Sequence, residues 1–340
     1  MGSNIVDWEK LISLKNIFSS WTEFVRGKQH KRDVMIFVAN LENELWALCN
    51  DLSDGSYQIG GYQKFLVHDP KIRIIHKATV RDRVVHRLLY NYLLPIFNDR
   101  WLDCSFSCRP GFGQHLSVKA VERALAKVSG NYTRLSWAVK CDVKKFFDSI
   151  DHSILYHLLC RRVHDERVRR LLFKIIESYH ATPSRGIPIG NLTSQIFANV
   201  YLHELDWYVK HTLKKHYYYR YADDFVCLTA SENEAVQFLN EAGEFLRDKL
   251  SLTLHPHKIT IRPNHWGIDW LGQVLLPDYK VLRPSTRRRM LKKIGSASRQ
   301  NISSNALKGM IASYKGLLKS VAKKTIVQRA NQLLGLYRLM

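Results

Sequence analysis

The stretch RYADDFVCL, residues 220–228, decides the fold of the chain because it places two aspartates side by side. Asp223 and Asp224 lie between two runs of aromatic and β-branched residues, which are typical of β-strands. Two such runs joined by a short polar turn predict a β-hairpin with both carboxylates at its tip. Aspartate is also common in ordinary turns, so the pair alone does not indicate a functional site.

A third aspartate ends another hydrophobic run. Residues 135–143, LSWAVKCDV, predict a buried strand that reaches its end at Asp142. A carboxylate at a strand end and another at a hairpin tip can meet on one sheet surface. Like charges placed together repel each other unless cations join them, and carboxylate oxygens are ligands that suit Mg²⁺. We therefore expect Asp142, Asp223 and Asp224 to form a magnesium site.

Paired metal ions would determine the chemistry of such a site. Two divalent ions held about 4 Å apart stabilise both the attacking and the leaving oxygens of an in-line phosphoryl displacement. One ion would lower the pKa of a 3′-hydroxyl, and the other would hold a triphosphate. The sequence therefore predicts nucleotidyl transfer, with two Mg²⁺ ions as the cofactor.

The charge of the chain favours a nucleic-acid partner. Its 340 residues include 52 Lys and Arg against 30 Asp and Glu, which leaves a formal charge of +22. Such a charge attracts a polyanion, most commonly nucleic acid. An anionic membrane is the rival interpretation, but no run of 18 apolar residues and no signal peptide is visible. We expect a cytoplasmic protein that does not bind membranes and whose six cysteines are reduced thiols.

Hydrophobic periodicity predicts the secondary structure in outline. Residues 6–50 carry apolar positions at helical spacing, and residues 71–76 alternate like a half-buried strand with basic residues on its open face. Helices and strands mixed in this order predict an α+β fold with an antiparallel-rich core flanked by helical parts. Further helices are predicted at 80–97, 116–128, 151–161, 165–180, 193–211 and 232–249, strands at 216–221 and 225–230, a hairpin over about 257–283, and a basic helical bundle at 284–338.

Seven blocks follow one another between residues 70 and 282: KIRIIHKATVRDR, FSCRPGFG, CDVKKFFDSID, RGIPIGNLTSQIFANVYLHELD, RYADDF, LHPHKITI and WLG. Their order resembles the successive motifs of reverse transcriptases, especially the bacterial lineage related to group II intron enzymes. The resemblance implies a right-hand polymerase with fingers, a palm built of an antiparallel sheet plus helices, and a thumb. It divides the chain into a helical N-terminal extension (1–60), fingers and palm (61–282) and a helical basic thumb (283–340).

The resemblance assigns roles to four residues around the predicted metals. Asp142, Asp223 and Asp224 match the palm carboxylates, and the backbone carbonyl of Val143 is implied as a further ligand. In such enzymes the second aspartate of the pair contributes less directly, so Asp224 ranks below the other two. Lys258, in LHPHKITI, is similar to the lysine proposed to protonate the leaving pyrophosphate, and an ordinary surface lysine is the alternative.

Nucleotide-binding residues also follow from the resemblance. Phe147 matches the aromatic that closes the sugar pocket and favours deoxynucleotides. Core packing is its alternative, for which Phe146 is the better candidate. Arg73 matches a fingers residue that reaches the triphosphate, because a planar guanidinium suits bidentate phosphate contacts, and Lys71 adds a point charge. A solvated strand face is the alternative for these basic residues.

Contacts with the primer and template are expected from the WLG block and from basic residues. Trp270, Leu271 and Gly272 resemble the hairpin that grips the primer, where glycine lets the backbone approach nucleic acid closely. Thumb helices with the run RPSTRRRMLKK would follow a duplex backbone, and a bland basic surface is the alternative. The other predicted primer and template contacts are Arg109, Arg283, Arg287 and Arg288.

The block GIPIGNLTSQ carries most of the information on subtype. Most relatives have Gln before the glycine and Ser-Pro at the end, whereas here Ile189 precedes Gly190 and Ser194 is followed by Gln195. The Ser-Gln ending resembles reverse transcriptases of diversity-generating retroelements, which are bacterial or phage-encoded and copy a template RNA with frequent errors at adenines. The resemblance places Ile189, Gly190 and Gln195 at the incoming nucleotide.

The resemblance also implies partners, and alternatives remain open. The expected partners are a structured RNA that supplies template and priming site, the RNA/cDNA duplex, dNTPs and an oligomeric accessory protein. A branched alkyl group at Ile189 in place of an amide would remove hydrogen bonds that fix the nucleotide, which is a hypothesis for low fidelity. Alternatively, Ile189 packs under the palm. Other candidates for the function are a retron, group II intron or phage-defence reverse transcriptase, and a non-catalytic RNA-binding scaffold.

Overall fold

The computed structural model describes residues 7–68, 72–277, 279–297, 309–310, 312–314 and 316. The start of this part is helical, as the apolar spacing of residues 6–50 predicts. Ile17, Trp21 and Phe24 share one face of the second helix because they are three or four positions apart, and all three are buried. The first helices are α1 (Trp8–Leu11), α2 (Leu14–Val25), α3 (Arg32–Val38), α4 (Leu41–Ser53) and α5 (Val80–Asn98), and α2 packs against α5.

An antiparallel ribbon of β1 (Tyr62–His68) and β2 (Ile72–Ala78) precedes α5. The prediction of a half-buried strand is wrong for the first half of β2, where Ile72, Arg73 and Ile74 are all exposed. A two-stranded ribbon has no second layer to bury either face, so alternation along the strand does not produce burial there. Strand β1 lies within residues 51–70, which are rich in Gly, Asp and Ser and whose composition favours turns rather than a strand.

A four-stranded antiparallel sheet lies at the centre of the described chain. Alternate residues of its second strand face two different cores. Phe225 and Cys227 pack into the larger cluster, and Val226 and Leu228 pack into a smaller one. Burial on both faces explains why this strand is a continuous apolar run. In spatial order the strands are β4 (Tyr218–Tyr221), β5 (Asp224–Thr229), β3 (Trp137–Asp142) and β6 (Thr260–Pro263).

Helices cover both faces of this sheet. The helix that follows β5 packs on β3 and β5, and the helix before β3 packs on β4 and β5. The predicted helices are confirmed within a few residues at each end. After α5 they are α6 (Gln114–Val128), α8 (His152–Cys160), α9 (Glu166–Glu177), α10 (Leu192–Trp207) and α11 (Glu232–Leu250), with a π-helical turn at Tyr208–Thr212 after α10. The short helix α7 (Phe146–Ser149) was not predicted.

The segment after β6 forms a separate sheet rather than one hairpin. The prediction of a hairpin over 257–283 is wrong because β6 pairs with β3 at the edge of the central sheet. Three further strands then pair antiparallel: β7 (Ile268–Trp270), β8 (Gln273–Leu275) and β9 (Lys280–Leu282). Helix α12 (Pro284–Ala297) begins the predicted basic helical region, most of which lies outside the described residues.

Antiparallel sheets packed with helices confirm the predicted α+β class. Among the described helices, none combines the length and the apolar character that crossing a bilayer requires.

Candidate active site

The aspartates of the hairpin and of β3 lie next to each other. Asp142 is the cross-strand partner of Asp224, which pairs with Tyr221 on its other side. Ala222 and Asp223 form the turn, and Ala222 has a left-handed φ of +55°. Cross-strand neighbours in antiparallel sheets have Cα atoms about 4.5–5.5 Å apart. The structure therefore brings Asp142 to the acidic hairpin, while the metal-binding role of these carboxylates stays a prediction.

The electrostatics of this cluster favour cations. Burial, followed by the neighbouring charges of Asp224 and Asp142, raises the pKa of Asp223 to about 6. Burial also raises the pKa of Asp224. In the described chain, oxygens of the three residues do not all lie within 4.8 Å of one another. The neighbouring carboxylates disfavour ionisation of Asp223, and divalent cations with oxygen ligands would relieve that repulsion.

Lys258 reaches the cluster from a short 3₁₀ turn beside β3. Its Nζ lies 2.5 Å from Asp142 Oδ1. The residue before the turn, His255, donates its backbone N–H to the carbonyl of Asp142 at 2.8 Å, which fixes the turn to the strand. Val143, the residue after Asp142, forms an antiparallel bridge with the segment that precedes the turn. Lys258 thus lies where the sequence places it, and its role as a general acid stays a prediction.

A buried ion pair holds the hairpin in place. The side chains of Arg220, in β4, and Asp206, in α10, are both 0% exposed. Arg220 donates Nε to Asp206 Oδ1 at 2.7 Å and Nη2 to Oδ2 at 2.6 Å, in a bidentate pair. Its Nη1 donates to the carbonyl of Ala222 in the hairpin turn at 3.0 Å. The other N–H groups reach Asn199 Oδ1 and Ser105 Oγ, so every donor of the guanidinium is used.

Sequence reasoning missed this pair, although both residues stand inside quoted blocks. Asp206 ends RGIPIGNLTSQIFANVYLHELD and Arg220 begins RYADDF. A charged residue inside a strand of aromatic residues is the available signal, but pairing between two blocks depends on how α10 packs on the sheet.

The predicted sugar-pocket aromatic lies beside the block GIPIG. Phe146 is only 2% exposed, whereas Phe147 is partly exposed, so Phe146 has the core position. The carbonyl of Phe147 accepts a hydrogen bond from Ile187 N at 2.8 Å. Further along the block, the carbonyl of Ile189 accepts a hydrogen bond from His76 N of β2 at 2.9 Å. The block therefore joins the central sheet region to the β1–β2 ribbon.

Gly190 makes that junction sterically possible. Its φ is +118°, and a Cβ there would lie 2.7 Å from Ile75 Cγ2. Only glycine accepts this conformation and this approach without displacing β2. The side chain of Ile189 is partly exposed and is not fully packed under the sheet. The nucleotide contacts of Ile189 and Gly190 stay predictions. In addition to any such contact, Gly190 allows the block to approach β2 closely.

A basic cleft of about 300 Å³ lies next to Gly190. Gln195, exposed on the first turn of α10, also lines it. The N-terminal part of the chain contributes Lys28, whose pKa is lowered by burial and by the charges of Arg87 and Arg83 on α5. Clustered cations of this kind suit a phosphate backbone. Their convergence was not predicted because Lys28 and α5 are far apart in sequence.

A second cleft, of about 240 Å³, lies on the Asp224 side of the site. Lys140, Lys258 and Arg283 line it together with Asp224. Arg283 is oriented by Asp269, whose Oδ1 accepts a hydrogen bond from Arg283 Nε at 2.8 Å. The cleft is therefore lined by cations directly beside the acidic cluster.

Two predicted primer and template contacts are wrong. Arg109 is 8% exposed, and its guanidinium donates to backbone carbonyls near the end of α5, among them those of Leu102 (2.7 Å) and Ser105 (2.9 Å). Trp270 is fully buried and donates Nε1 to Ser117 Oγ at 2.9 Å. Both side chains are used inside the protein and cannot reach nucleic acid.

The other predicted contacts lie at least partly at the surface. Leu271 and Gly272 form the turn between β7 and β8, with φ values of +48° and +83°. Arg287 and Arg288 are exposed on α12, and Arg73 is exposed on β2. Lys71 lies outside the described residues. The binding roles of these residues stay predictions.

A central antiparallel sheet with an acidic hairpin, covered by helices, is the architecture of a right-hand polymerase palm. The chain is similar in fold to apo telomerase from Candida tropicalis, with a TM-score of 0.51 and 10% identity over 70% of this chain and 52% of that one. Telomerase from Candida albicans, in complex with a TWJ fragment of telomeric RNA, has a TM-score of 0.50 and 12% identity over 82% and 55%. At these identities the likeness concerns the fold alone.

The sequence defines the family. A model described as "Reverse transcriptase (RNA-dependent DNA polymerase)" matches residues 67–275, more than half of the chain, which therefore belongs to this family. Protein YkfC of Escherichia coli (strain K12) is 26% identical over 278 residues, 70% of this chain and 72% of YkfC. Group II intron-encoded protein LtrA of Lactococcus lactis subsp. cremoris is 24% identical over 320 residues, 73% of this chain and 51% of LtrA. The chain spans about half the length of LtrA and of both telomerases.

Removal of Asp206 should destabilise the fold strongly. In Asp206→Ala the buried guanidinium of Arg220 loses its carboxylate, and we expect the free energy of unfolding to fall by about 3–5 kcal/mol. Urea denaturation followed by circular dichroism measures this change. The matched control is Asp248→Ala, which removes an ion pair with Arg247 whose side chains are 63% (Arg247) and 56% (Asp248) exposed and should change stability little. Equal losses in the two variants would contradict a special role of the buried pair.

Proposed function

We propose that the chain is an RNA-directed DNA polymerase that makes error-prone cDNA, with errors at adenines, from the template RNA of a diversity-generating retroelement. The observation that carries the polymerase proposal is the pairing of Asp142 with Asp224 beside the turn residue Asp223. Membership in the reverse transcriptase family supports the same reaction. We propose the division into an N-terminal extension (1–60), fingers and palm (61–282) and thumb (283–340).

The acidic cluster fits two Mg²⁺ ions because its carboxylates are hard ligands whose repulsion raises the pKa of Asp223 beyond the effect of burial. When bound, such ions lower the pKa of a 3′-hydroxyl and stabilise the charge that develops on the phosphates. Asp142 and Asp223 serve as ligands with the carbonyl of Val143, and Asp224 contributes less directly. Lys258, whose ammonium contacts Asp142, turns toward the β-phosphate and protonates the leaving pyrophosphate.

Two clefts, one next to Gly190 and one beside Asp224, provide separate places for the template and for the primer duplex. Phe147 closes the sugar pocket from its partly exposed position, and Arg73 and Lys71 bind the triphosphate. The cleft with Lys28 holds phosphates of the template. The cleft that contains Asp224 and Arg283 faces the primer and the duplex, which continues along α12. The turn at Leu271 and Gly272, together with Arg287 and Arg288, adds backbone contacts to the primer and template.

The nucleotide block supports the retroelement subtype. The backbone of Ile189 is fixed by His76, and its partly exposed alkyl side chain replaces an amide that would hydrogen-bond the incoming nucleotide. Gly190 and Gln195 lie at the neighbouring cleft. The partners are a structured RNA that supplies template and priming site, dNTPs and an oligomeric accessory protein, and the proposed location is the cytoplasm. These partners are supported by the resemblance of the Ser194-Gln195 ending to reverse transcriptases of diversity-generating retroelements.

A group II intron or related bacterial reverse transcriptase is the second candidate. The identity to LtrA, 24% over 320 residues, favours it. Neighbouring DNA separates the two candidates. Two near-identical repeats that differ almost only at template adenines would indicate a diversity-generating retroelement, and their absence would favour the second candidate.

Primer extension tests the polymerase proposal. Asp223→Ala removes a metal ligand, and we expect the extension rate on an RNA template with an annealed DNA primer to fall at least about 10²–10³-fold. Asp248→Ala, an exposed acidic residue, is the control and should extend at the wild-type rate. A thermal melt of each variant verifies folding. Wild-type extension by Asp223→Ala would refute the proposed site.

Fidelity tests the subtype. Ile189→Gln restores an amide beside the nucleotide, and we expect fewer misincorporations opposite adenine in cDNA made on the cognate RNA, as counted by sequencing. Ile154→Gln makes the same change at another partly exposed isoleucine, on α8, and should leave the error frequency unchanged. An Ile189→Gln error spectrum identical to that of the wild type would remove this explanation of low fidelity.

A further inference from the structure

A second group of metal-ligand side chains lies away from the aspartates. His152 begins α8, Glu177 ends α9, and His180 lies in the following loop. One ligand atom of each residue lies within 4.8 Å of a ligand atom of the other two. Among the described residues, no other group of three His, Cys, Asp or Glu side chains is this close together. His152 Nδ1 is 2.8 Å from Glu177 Oε1, and His180 Nε2 is 3.7 Å from Glu177 Oε2. Sequence reasoning did not single out these residues.

The hydrogen bonds of His152 require either a proton or a metal ion between its Nδ1 and the carboxylate of Glu177. Nε2 of His152 lies 2.7 Å from the carbonyl oxygen of Gly186. A carbonyl can only accept, so Nε2 carries the proton and a neutral ring presents its lone pair at Nδ1. That lone pair faces a carboxylate oxygen at 2.8 Å, and two acceptors at this distance repel each other unless a proton or a metal ion joins them.

We propose that His152, Glu177 and His180 bind a Zn²⁺ ion through Nδ1, a carboxylate oxygen and Nε2. Tetrahedral zinc with bonds near 2.0–2.2 Å separates its ligand atoms by roughly 3.3–3.5 Å. His152 Nδ1 lies 2.8 Å from Glu177 Oε1 and His180 Nε2 lies 3.7 Å from Glu177 Oε2, so small side-chain shifts bring both nitrogens to this separation from one carboxylate oxygen. Two histidines and one carboxylate suit zinc, whereas Mg²⁺ prefers oxygen ligands alone. A backbone carbonyl on the second nitrogen of His152 is the usual support of a zinc-bound histidine.

The ion would brace the segment that leads into the nucleotide block. Gly186 N–H donates to the carbonyl of Ile150 at 2.8 Å, immediately before Ile187 contacts Phe147. Tyr179, next to His180, packs against His76 of β2 with ring centroids 4.6 Å apart. A zinc ion on His180 would fix this loop to α8 and α9. This inference does not depend on the polymerase proposal.

Metal binding by untagged, chelator-treated full-length protein tests the inference. We expect wild type to show the visible absorption of tetrahedral Co²⁺, displaced by Zn²⁺, and to gain thermal stability with Zn²⁺. His180→Ala removes an exposed ligand and leaves the His152–Glu177 pair intact. Loss of a residue that only hydrogen-bonds to a metal ligand lowers metal affinity roughly 10–100-fold. Because His180 is itself a ligand, we expect the zinc affinity of His180→Ala to fall by more than this. His157→Ala, an exposed histidine on the same helix α8, is the matched control and should bind like wild type.

Two results would overturn the inference. Identical Co²⁺ and Zn²⁺ binding by wild type and His180→Ala would show that the metal binds elsewhere. No binding by folded wild-type protein would show that a proton alone joins His152 and Glu177. Glu177→Gln provides a second check, because it keeps a hydrogen-bonding side chain of the same size while removing the charge that zinc requires, so it should also lose zinc-dependent stabilisation.

Discussion

The position of the acidic hairpin depends on a charged pair that no solvent reaches. Taking the guanidinium of Arg220 and the carboxylate of Asp206 out of water costs several kcal/mol for each ion. Their attraction offsets this only if the geometry is good and the remaining donors are satisfied. Both conditions hold, since the pair is bidentate and another guanidinium N–H is bound by the carbonyl of Ala222. Because such a pair tolerates little displacement, it also determines where the adjacent Asp223 lies.

The turn that this pair supports is unfavourable by local criteria. Ala222 has a φ of +55°, which residues other than glycine rarely adopt, and Asp223 is buried near Asp142 and Asp224 with a raised pKa. Strain and like-charge repulsion both oppose folding and persist only where the surroundings enforce them. Here the surroundings are β5, buried on both faces, and the guanidinium of Arg220. Backbone strain and charge repulsion that are concentrated at a few residues are typical of functional sites, where the chemistry requires that arrangement.

Features with a local signal could be predicted from the sequence, and features that depend on distant packing could not. Asp142 was found because an apolar run ends there, and the periodicity of most helices is equally local. The pair of Arg220 with Asp206 requires the docking of α10 on the sheet, which no spacing reveals. Arg109 and Trp270 were assigned to nucleic acid from residue type and block position. The burial of Arg109 against carbonyls that follow α5, and of Trp270 against α6, is a tertiary outcome, as is the exposure of the first half of β2.

Iron(II)-driven radical cleavage tests most directly whether Asp142 and the hairpin hold divalent ions together. Fe²⁺ can replace Mg²⁺ among oxygen ligands. With added hydrogen peroxide, bound Fe²⁺ is oxidised to Fe³⁺ and releases hydroxide and a hydroxyl radical, which cuts the backbone next to the ion, and ascorbate restores the Fe²⁺. We expect cuts both at Asp142 and at Asp223–Asp224, suppressed together by excess Mg²⁺ and absent in Asp223→Ala. Cleavage at only one of these segments, or only near His180, would contradict a shared metal site at the hairpin.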